Sequence, residues 1–465
     1  MVIVHRNKKS GKRVGRLLPV TFVLCLVIAM AVTGCSKSGT AGTGGNAGSG
    51  TGTGSGSDAD AKVTTIDFWF PWAGDYQRDF KKYVVDEFEK KHPEIKVKMT
   101  FVETSGSTQA SDKLLTAIAG GNPPDVALFD RFLIGSWADK GSLEDLTPYI
   151  EASGISPNDY YAPIWKEAVY KDKVYALPWA TDTRALYYNK DLMKAAGLDP
   201  DSPPKTIQEL DQMAEKMFKK GKNGKYESVG FIPWMNQGFL YTQAWNWGGK
   251  WEDANGNLTP NDPQNVKALD WMAGYAKKYD VATLTSFSDA VGQTGMNPFW
   301  TGEVGFVMDG NWILNDLKKY DIKFNWGVTY MPPAEGYQPT TWAGGWSYII
   351  PKGSKKVDAA WEFVKFVAGK EGTMLWAKRP TAGNDITAMP SVNDELKLQD
   401  IPNLKIFIDG VKTGHTRPVT PVGSFLWNET MRVQDLAIHG KGTGQQLLDE
   451  VKKNVDNELA KLNSK

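Results

Sequence analysis

A chain of 465 residues, 41% of them hydrophobic, is too long for one compact core and suits two domains with appendages. A charged fraction of 23% and a formal net charge of +1 exclude the strong bias that nucleic acid or an acidic polymer would select. The 18 Trp stand against four His and two Cys, a balance that favours stacking recognition and calls for no cofactor and no metal.

Residues 5–16 are basic, and residues 17–33 are mostly apolar, with Pro19 and Cys25 inside. Small residues then lead to Cys35 in Val32-Thr33-Gly34-Cys35. This order is that of a secretory signal, residues 1–34, and the apolar run is short for a helix spanning a bilayer, which needs about 20 residues. The cut site is similar to a lipobox, which would place a diacylglyceryl group on Cys35 and anchor the mature chain to the outer face of the membrane; an uncleaved transmembrane anchor is the alternative. Cys25 would be discarded, leaving no partner for a disulfide. Residues 36–57 are almost all Gly, Ser, Thr and Ala, a coil with a root-mean-square span of about 25–30 Å, and residues 35–62 as a whole make the tether.

From Val63 the pattern becomes that of a fold. Ile66, Phe68 and Phe70 alternate as a strand, and Pro71-Trp72-Ala73-Gly74 breaks it. Asp75 opens a helix whose stripe is Phe80, Tyr83, Val84 and Phe88, and His92-Pro93 ends it. Ile95, Val97, Met99 and Phe101 form a second strand, a helix runs through Leu114, Leu115 and Ile118, and residues 125–129 form a third strand. Strand, helix, strand, helix, strand implies a parallel α/β sheet whose ligand side is the carboxyl end of its strands: Pro71-Trp72, Glu103-Thr104 and Asp130-Arg131. Further strands are expected at 185–188, 230–232, 305–308 and 346–350, and helices at 206–219, 264–279, 355–368 and 444–461.

Four segments in order resemble the extracellular solute-binding proteins of ABC importers, the family that includes maltose-binding protein. They are Gly120-Gly121-Asn122-Pro123-Pro124-Asp125-Val126 leading to Asp130-Arg131-Phe132; Leu177-Pro178-Trp179 with Tyr187-Tyr188-Asn189-Lys190; Gly302-Glu303 leading to Asp309-Gly310-Asn311-Trp312; and Gly344-Gly345-Trp346-Ser347. The resemblance covers residues 63–460 and implies a two-lobe, type II periplasmic-binding-protein-like fold with a ligand cleft between the lobes. It implies three crossings, near Ala180–Thr183, Glu303–Gly305 and Ala343–Trp346. One lobe would hold residues 63–180 plus 306–342, the other 184–303 plus 347–462. The implied function is capture of a carbohydrate by a monomer that delivers it to membrane permease subunits.

A sugar presents weakly apolar C–H faces and hydroxyls that both donate and accept, so its site should mix Trp with Asp, Asn, Gln and Arg. By the resemblance, Asp130 and Arg131 match a sugar-contacting pair, with a loop salt bridge as the alternative. Asp182 matches an acidic residue at the first crossing that bonds a hydroxyl, or else caps the hinge. Trp312 and Trp427 match stacking residues, or else are core. Trp72 and Asp75 sit at the family's first polar loop, although the family's Asp-Lys pair lacks its Lys here. Asn236 and Gln237 fall on a loop that often reaches the cleft, and Trp179 and Trp346 flank crossings as wall or core. Trp245, Trp247 and Trp251 suit packing. Rival readings are a non-sugar solute on the same fold, a sensor partner in place of or beside the permease, and a glycoside hydrolase. The last needs paired carboxylates roughly 5–9 Å apart; only Asp130 and Asp182 pair on paper, without any catalytic motif beside them.

Overall fold

The computed structural model describes residues 63–102, 109–292, 297–320, 322–381 and 383–464. The expected signal segment, Cys35, the tether and the strand end at Glu103-Thr104 lie outside these residues. The strands among them are β1 (Thr64–Phe70), β2 (Ile95–Phe101), β3 (Val126–Asp130), β4 (Val169–Tyr170), β5 (Lys173–Val174), β6 (Leu177–Asp182), β7 (Arg184–Asn189), β8 (Lys219–Lys220), β9 (Tyr226–Phe231), β10 (Val304–Gly310), β11 (Trp326–Thr329), β12 (Gly344–Ile349) and β13 (Ile386–Thr387).

Two sheets carry the molecule. The first runs β13-β6-β12-β3-β1-β2 and the second β11-β7-β10-β9-β8. In the first, β1 lies parallel to β2 and β3, as the alternating sequence pattern requires, and Ile66, Phe68 and Phe70 are fully buried. The first crossover helix contains a π turn at Lys81–Val85 between α-helical turns Asp75–Phe80 and Asp86–Lys91. Its extra residue shifts the buried stripe to Phe80, Val84, Val85 and Phe88, so Val85 takes the place expected for Tyr83. The other expected helices form at Ile207–Met217, Pro263–Tyr279, Val357–Ala368 and Gly444–Asn463. Trp245 and Trp251 are buried in packing, as their setting suggested.

The lobe boundaries need correction. β10 lies between β7 and β9, with Phe306 opposite Tyr188 and Phe231, and β11 pairs with β7. Residues 306–342 therefore build the second sheet rather than the first. β12 lies between β3 and β6, and β13 pairs with β6, so the segment from 344 to 387 builds the first sheet. The chain passes between sheets at Thr183, where β6 ends and β7 begins, and again between β11 and β12, ahead of Gly344. No passage occurs at Glu303–Gly305, because Val304 already pairs with Val229 inside the second sheet. The remaining link is the helix Lys405–Thr413, which packs against both β6 and β7 and whose Phe407 carbonyl accepts the Thr183 hydroxyl at 2.8 Å.

Candidate functional site

Three strand ends meet at the junction of the sheets. β1 leads into Trp72, β3 ends at Asp130, and β6 ends at Asp182. Trp72 is half-buried and stands edge-on to Trp346 with ring centroids 5.0 Å apart. Trp346, also half-buried, is the β12 residue opposite Asp130 in the ladder, so the two indoles and the carboxylate share one stretch of wall. Asp130 caps the short turn Arg131–Leu133 and accepts from Arg417 Nη2 at 3.0 Å, while its side chain keeps 24% exposure. Desolvation pushes its pKa up, and the Arg417 charge opposes the shift.

The second wall is organised by Arg184, the first residue of β7. Its guanidinium pairs with Asp182, donates to Gln237 Oε1 at 3.2 and 3.3 Å, and lies 3.7 Å from the centre of the Trp342 ring and 5.3 Å from that of Trp312. Arg417 covers Trp342 as well, at 4.5 Å. Trp342 thus joins two cation–carboxylate pairs, Asp130–Arg417 and Asp182–Arg184. Trp312 follows β10 and is half-buried. Gly310 makes its placement possible, since a Cβ there would lie 2.1 Å from the Trp312 ring. Asn236 adopts φ 53° and donates to Asp309 Oδ2 at 2.8 Å.

The structure therefore gathers Asp130, Asp182, Asn236, Gln237, Trp72, Trp312 and Trp346 along the two sides of the junction. Four expected contacts do not join them. Arg131 has no exposed side-chain surface; it pairs with buried Glu167 at 3.1 Å and donates to the carbonyls of Ala180, Trp346 and Gly344. That is a clamp on the two strands beside the crossings, because its guanidinium is spent inside the protein. Trp179, 2% exposed, is core between Phe80, Tyr348 and Trp376. Trp427 is enclosed by Phe132, Phe239, Tyr241 and Trp342, behind Arg417. Asp75 faces solvent in an ion pair with Arg78, both about 70% exposed.

Residues 73–374 match the family described as bacterial extracellular solute-binding protein. The chain belongs to this family. The structure of CpMnBP1 with mannobiose bound is similar at a TM-score of 0.74 and 31% identity, covering 84% of this chain and 99% of that one. The maltooligosaccharide ABC transporter solute-binding lipoprotein of Streptococcus pneumoniae is 27% identical over 345 residues, 70% of this chain and 75% of its own. The sn-glycerol-3-phosphate-binding periplasmic protein of Escherichia coli is 25% identical over 335 residues, 68% of this chain and 73% of its own.

In this solute-binding protein the residues that sequence reasoning missed are the two arginines and the indole between them. Arg184 carried a usable signal: it stands two residues after Asp182 in extended sequence, and side chains at that spacing share a face. Arg417 and Trp342 carried none. They lie 75 residues apart in irregular segments and meet only because Trp342 bridges to His415 beside the helix Lys405–Thr413.

Proposed function

We propose that this solute-binding protein captures a carbohydrate, a mono- or oligosaccharide, outside the membrane and delivers it to the permease of an ABC importer, held at the outer face by a lipid on Cys35. The observation that carries the reading is the pairing of half-exposed indoles with paired carboxylates: Trp72 and Trp346 on one side, Trp312 on the other, Asp130 and Asp182 between. Indole faces suit the C–H face of a pyranose, and carboxylates held in place by arginines suit its hydroxyls. The names of CpMnBP1's bound mannobiose and of the pneumococcal maltooligosaccharide lipoprotein support the same ligand class. A phosphate ester, by contrast, wants cations free to receive it, and Arg184 and Arg417 are each committed to a carboxylate.

Transport follows from differential affinity. A ligand that touches both sides binds the closed arrangement better than the open one, which shifts the population toward closure and offers the permease a distinct surface. The test is a thermal-shift and calorimetric screen of the protein lacking residues 1–35 against sugars, polyols and polyol phosphates. A sugar should raise the melting point, and Trp312→Ala and Asp130→Asn should each weaken it by roughly 10-fold or more. Stabilisation by a polyol phosphate alone would overturn the carbohydrate reading.

A further inference from the structure

The motif Asp309-Gly310-Asn311-Trp312 contributes one indole to the wall, yet its acidic residue never reaches the cleft. Asp309 is 3% exposed. Its Oδ2 accepts from Asn236 Nδ2 at 2.8 Å and from Asn297 Nδ2 at 3.0 Å, and its Oδ1 accepts from the Gly310 backbone N–H at 2.8 Å. The carboxylate therefore ties together three separate segments: the loop holding Asn236 and Gln237, the turn beginning at Asn297, and the end of β10 that presents Trp312. Each bond is to a neutral donor, and none is an ion pair. The charged and titratable groups set against Asp309 come from β7. Arg184 acts on it through space and is itself paired with Asp182. Tyr187, fully buried, donates its hydroxyl to the Gly310 carbonyl at 2.8 Å.

We propose that Asp309 is a positioning residue for the ligand site, and that its ionised form holds Asn236 and the Trp312 strand end in the binding arrangement. The proposal rests on the carbohydrate reading of that site. The chemistry is that of charge assistance. An ionised carboxylate accepts all three bonds with its full charge. Once protonated, the carboxyl gives up one lone-pair site and its charge, so the bonds it still accepts become neutral ones and weaken. Asn236 is the donor that belongs to the ligand-site loop, where it sits at φ 53°, in the left-handed region that Asn tolerates better than other non-glycine residues. Desolvation raises the Asp309 pKa, while the Gly310, Asn236 and Asn297 donors and then Arg184 lower it, leaving it at about 6. The switch therefore falls in mildly acidic surroundings.

The experiment measures affinity for the tightest sugar of the screen by calorimetry between pH 7.5 and pH 5 in three proteins. Wild type should lose roughly 3- to 10-fold on acidification, the worth of one hydrogen bond. Asp309→Asn, which carries the amide equivalent of the protonated acid, should bind at pH 7.5 as weakly as wild type does at pH 5, with a flat profile. Asn236→Ala should also be weak and flat. Wild-type affinity that does not change with pH, or an Asp309→Asn protein that keeps wild-type affinity and slope, overturns the proposal. A ligand-free readout separates it from the carbohydrate reading: the Asn236 side-chain amide resonance should titrate with the Asp309 carboxyl carbon. Failure of every sugar to bind while that coupled titration is seen sinks the carbohydrate reading and sustains the Asp309–Asn236 linkage; absence of the coupled titration sinks the linkage itself.

Discussion

Arg131→Met removes the clamp behind the site and tests whether that residue belongs to the fold or to the ligand. The substitution fills much of the same space but leaves Glu167, 1% exposed, as a buried carboxylate without its ion pair at 3.1 Å. Desolvation already pushes the Glu167 pKa up, and the Arg131 charge is the largest influence holding it down. Removing one partner of a buried pair costs about 3–5 kcal/mol. The carbonyls of Ala180 and Trp346 also lose a donor, at about 1 kcal/mol each, whereas Gly344 keeps the Thr181 hydroxyl at 2.9 Å. The expected loss is about 5–7 kcal/mol, a large share of the 5–15 kcal/mol that typical domains possess. Urea denaturation followed by fluorescence reads it as a fall in midpoint at constant slope. The double variant Arg131→Met/Glu167→Gln should recover about half, because no unpaired carboxylate then remains at position 167. A single variant that loses less than about 1 kcal/mol while its sugar affinity collapses would refute the clamp and return Arg131 to the ligand.

Gly345 sits at φ 132°, and a Cβ there would lie 2.3 Å from the Ala180 carbonyl and 2.8 Å from both Arg131 terminal nitrogens. Gly345→Ala should therefore cost about 1–3 kcal/mol in the same urea assay and lower sugar affinity through the displaced clamp. Asp309 has a folded pKa of about 6, above the 3.8 of the free group, so the folded protein holds its proton more tightly than the unfolded chain between those values. Its contribution to stability is accordingly greatest below about pH 4 and falls by about 3 kcal/mol as pH rises to about 6; urea melts of wild type minus Asp309→Asn should show that step, opposite in sense to the affinity profile. Cys35→Ser should release the protein from membranes into the medium in a fractionation experiment without changing its affinity for sugar.

Much of the fold was legible because it rests on periodicity. Ile66, Phe68 and Phe70 announce a strand and all three are fully buried. The lobe boundaries were not legible, because the period of β10 is the same whichever sheet it joins; only its partners Tyr188 and Phe231 decide. Trp179, Trp312, Trp346 and Trp427 illustrate the same limit at the site. Nothing in a single Trp reports its depth, and the four divide into two half-buried walls and two buried cores. The reason for Gly310 became visible only in the structure, where the Trp312 indole covers its backbone and leaves room for no side chain.

Asp130 and Arg131 show how one step along the chain separates binding from stability. Asp130 is the last residue of β3, and successive side chains on a strand point to opposite faces. If Asp130 points into the cleft, its neighbour must point into the strands behind, where a charge survives only with a buried partner; Glu167 is that partner. Reading the two as a single ligand-contacting pair overlooked the alternation that had served to find the strand. The residue proposed to meet the ligand and the residue that ties β6 to β12 are thus covalent neighbours, Asp130 held by Arg417 and Arg131 spent on the carbonyls of Ala180 and Trp346.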